Sequence, residues 1–314
     1  MKGRFVIGID VGGTNIKSVL MSQTGSIVRK AIYRIGDTED FDETFNNILG
    51  VIRKVSRGYE EFLTGAGIGM PGPVDIKSGV IHTPPNLPSW AGRNIGDLLH
   101  QNLKIPVYVD NDANLVAYGE YRAGVARGSR IVICLTLGTG IGGGIINDGN
   151  IMHGLSGFAG EIGHIVVVHN GLKCKCGSRG CLEAYASGTA ILREGIKAGL
   201  LRKGVNKGSA EEVYRKAKKG NKKAIHILEK AGYFLGIGIA SCINIFNPDS
   251  VVLAGGVAGA GRFIIQPAKE EVKRRAFGVI LKDCRIVRAK LGTLAGAIGA
   301  GYFALDRLRG LLVK

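Results

Sequence analysis

The sequence predicts an α/β protein of two domains, and three observations carry that expectation. The chain has 314 residues, 45% of them hydrophobic, which suits two domains of ordinary size or one large one. One pattern, a buried strand, a Gly/Thr turn and a second apolar strand, occurs twice, at 5–21 and again at 131–146, which favours two related halves. Around these units, runs with apolar residues at helical spacing alternate with short β-branched runs, the order expected of layered α/β folds.

Taken in order, Phe5–Ile9 is a buried strand ending at Asp10, followed by Gly12-Gly13-Thr14-Asn15-Ile16-Lys17 and a second strand to Met21. The backbone N–H groups of Gly12–Thr14 can face anionic oxygens, and Asp10 can hold Mg²⁺ directly or through water. Taken alone, an ordinary Gly-rich hairpin accounts for this stretch at least as well. Gln23-Thr24-Gly25 reads as a turn into a strand at 27–33. Phe41, Phe45, Ile48, Leu49, Ile52 and Val55 share one helix face. A strand at 65–70 leads into the stiff loop Pro71-Gly72-Pro73-Val74-Asp75, then a short strand at 80–82 and a second stiff loop, 84–90, containing Asn86. Asn94 caps a helix to Leu103.

A strand at 106–109 then opens on Asp110-Asn111-Asp112-Ala113-Asn114 and a helix. Ligands of open α/β sheets sit at such carboxyl ends, and a carboxylate there can act as a base; helix capping explains part of the cluster too. After the strand 131–137, Gly138-Thr139-Gly140 repeats the first Gly/Thr turn, followed by a strand and a turn at 147–150. The formal G-x-G-x-x-G here also occurs at 67–72 and is weak, and no P-loop sequence is present. Helices at 189–198, 210–218 (opened by a Ser209…Glu212 capping box), 222–246, 263–276 and 294–308, with strands at 250–254 and 284–289, complete the chain. Gly255-Gly256 ends the first of those strands.

The formal net charge is +17, but Lys and Arg are scattered, with small knots in helical segments. That reads as solvated helix faces and a field favouring anionic nucleotides, with no nucleic-acid partner. The uncharged runs 131–147 and 231–248 are interrupted by glycine and polar residues, so no membrane span is expected. With no secretory signal, a cytoplasmic location is expected.

Cys174, Cys176 and Cys181 lie within eight residues, with Gly177 and Gly180 allowing a tight fold-back. An odd number of thiols without a secretory signal argues against a disulfide. With His164 they make a Cys₃His set, the ligand count of a closed structural Zn²⁺ site, although spacing alone leaves His164 open as an ordinary satisfied side chain. Glu161 and Glu183 flank this loop. Carboxylates beside an imidazole can bind sugar hydroxyls; solvated glutamates are the plain alternative.

The stretch 157–164, Gly-Phe-Ala-Gly-Glu-Ile-Gly-His, followed by Cys174-Lys-Cys176-Gly-Ser-Arg-Gly180-Cys181-Leu182-Glu183, resembles the signature of the ROK family of sugar kinases and sugar-responsive repressors. The D-x-G-G-T-x-x-K run at 10–17, P-G-P-V-D at 71–75 and N-D-A-N at 111–114 resemble further family motifs in the right order. At 86–90 only the outline of P-N-L-x-x-W is reproduced. The resemblance implies a two-domain actin-like ATPase (ribonuclease H-like) fold with an interdomain cleft and a small zinc loop at 164–181. The domains would be 1–113 plus 294–314, and 114–293. It implies phosphoryl transfer from ATP to a hexose, with Asp112 as catalytic base. Gly72, Asn86, Asn111, Glu161, His164 and Glu183 would bind sugar. Asp10, Gly12, Gly13, Thr14, Gly138, Thr139, Gly140, Gly255 and Gly256 would form the nucleotide side, with Mg²⁺ near Asp10 and structural Zn²⁺ on His164, Cys174, Cys176 and Cys181. Glucose is the expected sugar, with fructose, mannose and N-acetylmannosamine as alternatives, and homodimers or homotetramers are common in the family. The rival, a sugar-sensing repressor, carries an added N-terminal DNA-binding domain, for which four residues before the first strand leave no room.

Overall fold

The computed structural model describes residues 3–35, 40–76, 78–82, 88–201 and 209–312. The first sheet holds β1 (Phe5–Val11), β2 (Asn15–Ser22), β3 (Ile27–Arg34), β4 (Leu63–Met70) and β5 (Val107–Asn111), interleaved with α1 (Phe41–Ser56) and α2 (Ile95–Leu103). Then come α3 (Asp112–Ala123), β6 (Ile131–Leu137), β7 (Ile141–Asn147) and β8 (Asn150–Ile151). The remainder is mainly helical: α4 (Glu183–Ala186), α5 (Gly188–Lys197), α6 (Ala210–Lys218), α7 (Lys222–Phe246), β9 (Ser250–Ala254), α8 (Arg262–Arg275), α9 (Gly278–Leu281), β10 (Arg285–Arg288) and α10 (Ala295–Leu308).

The two sheets have the same plan. One runs β3-β2-β1-β4-β5 and the other β8-β7-β6-β9-β10. In the first, β2 pairs antiparallel with β3, and β1–β4 and β4–β5 are parallel. In the second, β7 pairs antiparallel with β8, and β6–β9 and β9–β10 are parallel. The duplicated strand–turn–strand pattern is therefore a duplicated sheet topology.

The chain divides into two compact units, Met1–Gly128 with Gly144–Gly160 and Lys290–Lys314, and Ser129–Gly143 with Glu161–Ala289. In the first, all seven residues of β1 are buried, because the sheet is covered on both faces. Ile7, Ile9 and Leu20 on one face join Ile48, Ile52 and Val55 of α1, with Trp90 and Leu99. Val6, Val19 and Met21 on the other meet Ala297, Ile298, Ala304 and Leu305 of α10. This helix lies so close that a Cβ on Gly67 of β4 would run into the carbonyl of Ala300. In the second unit the 25-residue α7 packs along α8 and α6.

Local expectations fail in three places. Residues 80–82 form no strand. Among the described residues only the isolated bridges Val74↔Ile81 and Val80↔Asn94 occur, because the segment divides its backbone bonds between two partners, Asp75 N–H donating to the Val80 carbonyl and Ile81 N–H to the Arg93 carbonyl. The Ser209 side chain does not cap α6; its carbonyl, not its hydroxyl, accepts from Glu212 N–H at 3.0 Å. The one-turn helices α4 and α9 have too few residues for a periodic signal. Among the described residues, no helix is long and apolar enough to cross a membrane.

Candidate active site and metal centre

Strand β5 ends and α3 begins with no residue between them, so the polar cluster is held by its own hydrogen bonds. Asn111 is the N-cap, its Oδ1 accepting from Ala113 N–H at 2.9 Å and Asn114 N–H at 3.3 Å. Its Nδ2 donates to the Gly72 carbonyl at 3.0 Å, tying the cap to the Pro-Gly-Pro loop. Asp112, the first residue of the helix, is half-buried and accepts from Ala113 N–H at 2.8 Å. Asp110 is fully buried. Its Oδ1 accepts from Asn111 N–H at 2.7 Å and from Asn114 Nδ2 at 2.9 Å, and its Oδ2 faces His153 Nε2 at 2.7 Å.

Asp10 closes β1 near its end and is nearly buried, with Lys17 Nζ 2.9 Å from its Oδ2. The register explains the pair, since Asp10 and Lys17 are directly opposite across the β1–β2 hairpin. Gly13 and Thr14 are exposed at the tip, while Gly12 N–H donates to the Asn15 carbonyl and so closes the turn. The second turn is built alike: Gly138 N–H donates to the Gly140 carbonyl, and Gly138 and Thr139 are exposed. Its outer side is braced by α5, with Gly188 N–H on the Gly138 carbonyl and Thr189 Oγ1 donating to the Thr139 carbonyl at 2.8 Å. Glu183 accepts from Ile141 N–H at 2.9 Å, and its carboxylate lies where a Cβ on Gly140 would be, so a side chain there would have to push Glu183 aside. Gly255 and Gly256 follow β9 and are exposed.

His164, Cys174, Cys176 and Cys181 present four ligand atoms that all lie within 4.8 Å of one another. Cys174 Sγ is 3.7 Å from His164 Nδ1, and the Sγ atoms of Cys176 and Cys181 are 3.6 Å apart. Tetrahedral zinc needs about 3.8 Å between sulfurs and about 3.6 Å between sulfur and nitrogen, so the group fits Zn²⁺. The loop is pinned by the Val166↔Cys181 and Lys173↔Arg179 bridges and by Cys174 N–H on the Ser178 carbonyl. Without a cation, burial pushes the Cys181 thiol up to about 12 and raises Cys174, whereas a backbone hydrogen bond from Ser178 lowers Cys176. The remaining nitrogen, His164 Nε2, faces Glu161 Oε2 at 3.8 Å, too long for a direct hydrogen bond and open to a bridging hydroxyl.

Thus the structure brings together Gly72, Asn111 and Asp112 in one unit, and Glu161, His164 and the cysteines in the other, where Glu183 joins the turn 138–141. Asn86 lies outside the described residues. Two further residues escaped sequence reasoning. Lys17 belongs to the first turn's motif, and hairpin register was the signal that would have placed it on Asp10. His153 precedes a Gly-rich loop and gives no sequence sign of its buried partner forty-three positions earlier.

Two sheets of identical topology with Gly/Thr turns define the actin-like ATPase fold. The ROK family model matches residues 6–307, and the chain belongs to the ROK family. A glucokinase of Halalkalibacterium halodurans is 36% identical over 315 residues, covering 96% of this chain and 95% of that one. A xylose repressor of Bacillus subtilis is 30% identical over 97% of this chain and 78% of its own. The crystal structure of a ROK glucokinase from Streptomyces griseus, solved with glucose and AMPPNP, superposes with a TM-score of 0.83 at 32% identity, covering 96% of this chain and 99% of that one.

Proposed function

We propose that the protein is an ATP-dependent hexokinase whose preferred substrate is glucose, converted to glucose 6-phosphate. The observation that carries this reading is the likeness, over nearly the whole of both chains, to a glucokinase solved with glucose and an ATP analogue. In the reaction, the sugar hydroxyl oxygen bonds to the γ-phosphorus, the bond to the β-γ bridging oxygen breaks, ADP leaves, and Asp112 takes the hydroxyl proton. The choice of Asp112 over Asp110 is supported by burial, since both Asp110 oxygens are already engaged inside the unit. Gly72, Asn86, Asn111, Glu161, His164 and Glu183 form the sugar-binding set. With Nδ1 on zinc, His164 keeps its proton on Nε2, a fixed donor for a hydroxyl, beside the acceptor Glu161.

On the nucleotide side, Gly13, Thr14, Thr139 and Gly140 line the phosphates, Gly12 and Gly138 shape the turns, and Gly255 and Gly256 flank the adenosine. Asp10, its Oδ2 already on Lys17, would hold Mg²⁺ through water with its other oxygen. The cation supplies charge neutralisation to the phosphates; the protein's share is positioning and electrostatics. Zinc is structural, held by His164, Cys174, Cys176 and Cys181, and a closed four-ligand site does not touch substrate.

A coupled ADP-release assay across glucose, mannose, fructose and N-acetylmannosamine tests the reading. Glucose is expected to give the highest kcat/KM. A clearly higher value for another sugar transfers the assignment to that sugar, and no sugar-dependent ADP release from a folded, zinc-loaded protein defeats it.

A further inference from the structure

We propose that His153 is a positioning residue for phosphoryl transfer. By donating Nε2–H to Asp110 it fixes the strand-to-helix junction that aims Asp112, an inference that rests on the kinase reading above. Asp110 is fully buried, so its carboxylate must be satisfied inside the protein. Its Oδ1 takes two donors, Asn111 N–H and Asn114 Nδ2. Oδ2 takes His153 Nε2, and because an ionised carboxylate only accepts, that nitrogen is the protonated one.

Several of the contacts that frame Asp112 meet at this carboxylate. Asn111, whose N–H is bonded to it, caps α3 through Oδ1 and holds the Gly72 carbonyl through Nδ2. Asn114, one turn into the helix, is bonded to it as well. Turning the Asp110 carboxylate would therefore shift the cap, the Gly72 loop and the first helical residue together. His153 is itself well held. Its carbonyl accepts from Ala159 N–H at 3.0 Å, closing a loop that rests at Gly157 on Val74 and Ile76. That loop runs directly on to Glu161, so His153 holds the junction before the base through its imidazole and the segment preceding a proposed sugar ligand through its backbone carbonyl.

The test compares His153→Phe, which fills the space but donates nothing, with His153→Gln, whose amide can donate from a similar position. Steady-state constants are measured for sugar and ATP, normalised to folded protein, together with a crystal structure of His153→Phe. The expected result is a kcat lower by about 10- to 100-fold in His153→Phe with the ATP KM unchanged, as for a base displaced by a fraction of an ångström to an ångström. His153→Gln should recover most of the loss, and the Asn111–Asp112 backbone of His153→Phe should be displaced by more than about 0.5 Å. A kcat for His153→Phe within about threefold of the parent, or an equal loss in both variants, overturns the proposal. If the parent itself turns over no sugar, the kinase reading has failed. The crystal structure then decides alone, and an undisplaced junction in His153→Phe overturns the positioning role.

Discussion

On the proposed reading, the role of Asp112 is set by its neighbours. Asn111 is the N-cap of α3 and shares the Ala113 N–H with Asp112, the first residue of the helix. Asp110 is spent on the interior, with donors on both oxygens. Asp112→Asn keeps the shape and loses the proton acceptor. The expected outcome is a kcat lower by about 10²–10⁴-fold or more, with glucose affinity by titration calorimetry within a few-fold of the parent. A variant with near-parental kcat reduces Asp112 to a helix-start residue. At this scale the sequence supplied residue types without their partners. Two aspartates, two positions apart, were equally plausible bases by chemistry, and the family resemblance chose between them. What separates them physically is burial against His153, a contact between distant segments that no local pattern encodes. The same is true of Lys17 on Asp10, where only the pairing register gives the partner.

The candidate metal loop is the element most legible in advance, because metal ligation demands specific side chains at short spacing and leaves them in the sequence. Three thiols and two glycines pointed to a metal loop, the family resemblance added His164 as the fourth ligand, and the four ligand atoms lie within 4.8 Å. Ordinary elements were legible where periodicity was long: the 222–246 helix and the 131–137 and 250–254 strands appear with the bounds expected of them. The 80–82 segment was misread because three apolar-flanked residues between proline loops carry strand propensity but find no strand to pair with beyond isolated bridges. In the zinc loop, Cys176→Ser removes one thiolate from the set. Zinc content by metal analysis is expected to fall, and the glucose KM to rise by about tenfold or more while the ATP KM changes less, since His164 loses its fixed tautomer. A zinc-free variant with an unchanged glucose KM separates the metal from the sugar site.

For the whole molecule, the repeated strand–turn–strand pattern foretold two sheets of one plan, but not how the chain is tied where it passes between units. It leaves the first unit after Gly128 and again after Gly160, and returns to it at Gly144 and at Lys290; the first departure and the last return are tied together. A single buried side chain, Glu120 of α3, holds both places. Its Oε2 accepts from Val125 N–H at 3.0 Å, just before the departure, and its Oε1 accepts from Lys290 and Leu291 N–H at 2.9 and 2.7 Å, at the return. Three backbone donors engage both oxygens of this one buried carboxylate. In Glu120→Gln one of the two oxygens becomes an amide NH₂, which must face a backbone N–H whichever way the group is turned. A buried donor left unsatisfied and a second one opposed to it should cost about 2–4 kcal/mol. The measurement is urea unfolding of parent and variant followed by circular dichroism, with the first transition expected to move to lower denaturant. Glu120→Ala, which removes the acceptor and opens a cavity, should move it at least as far. If both variants unfold with the parent's midpoint, the two crossing segments are held by packing alone, and Glu120 contributes nothing that the surrounding apolar residues do not already supply.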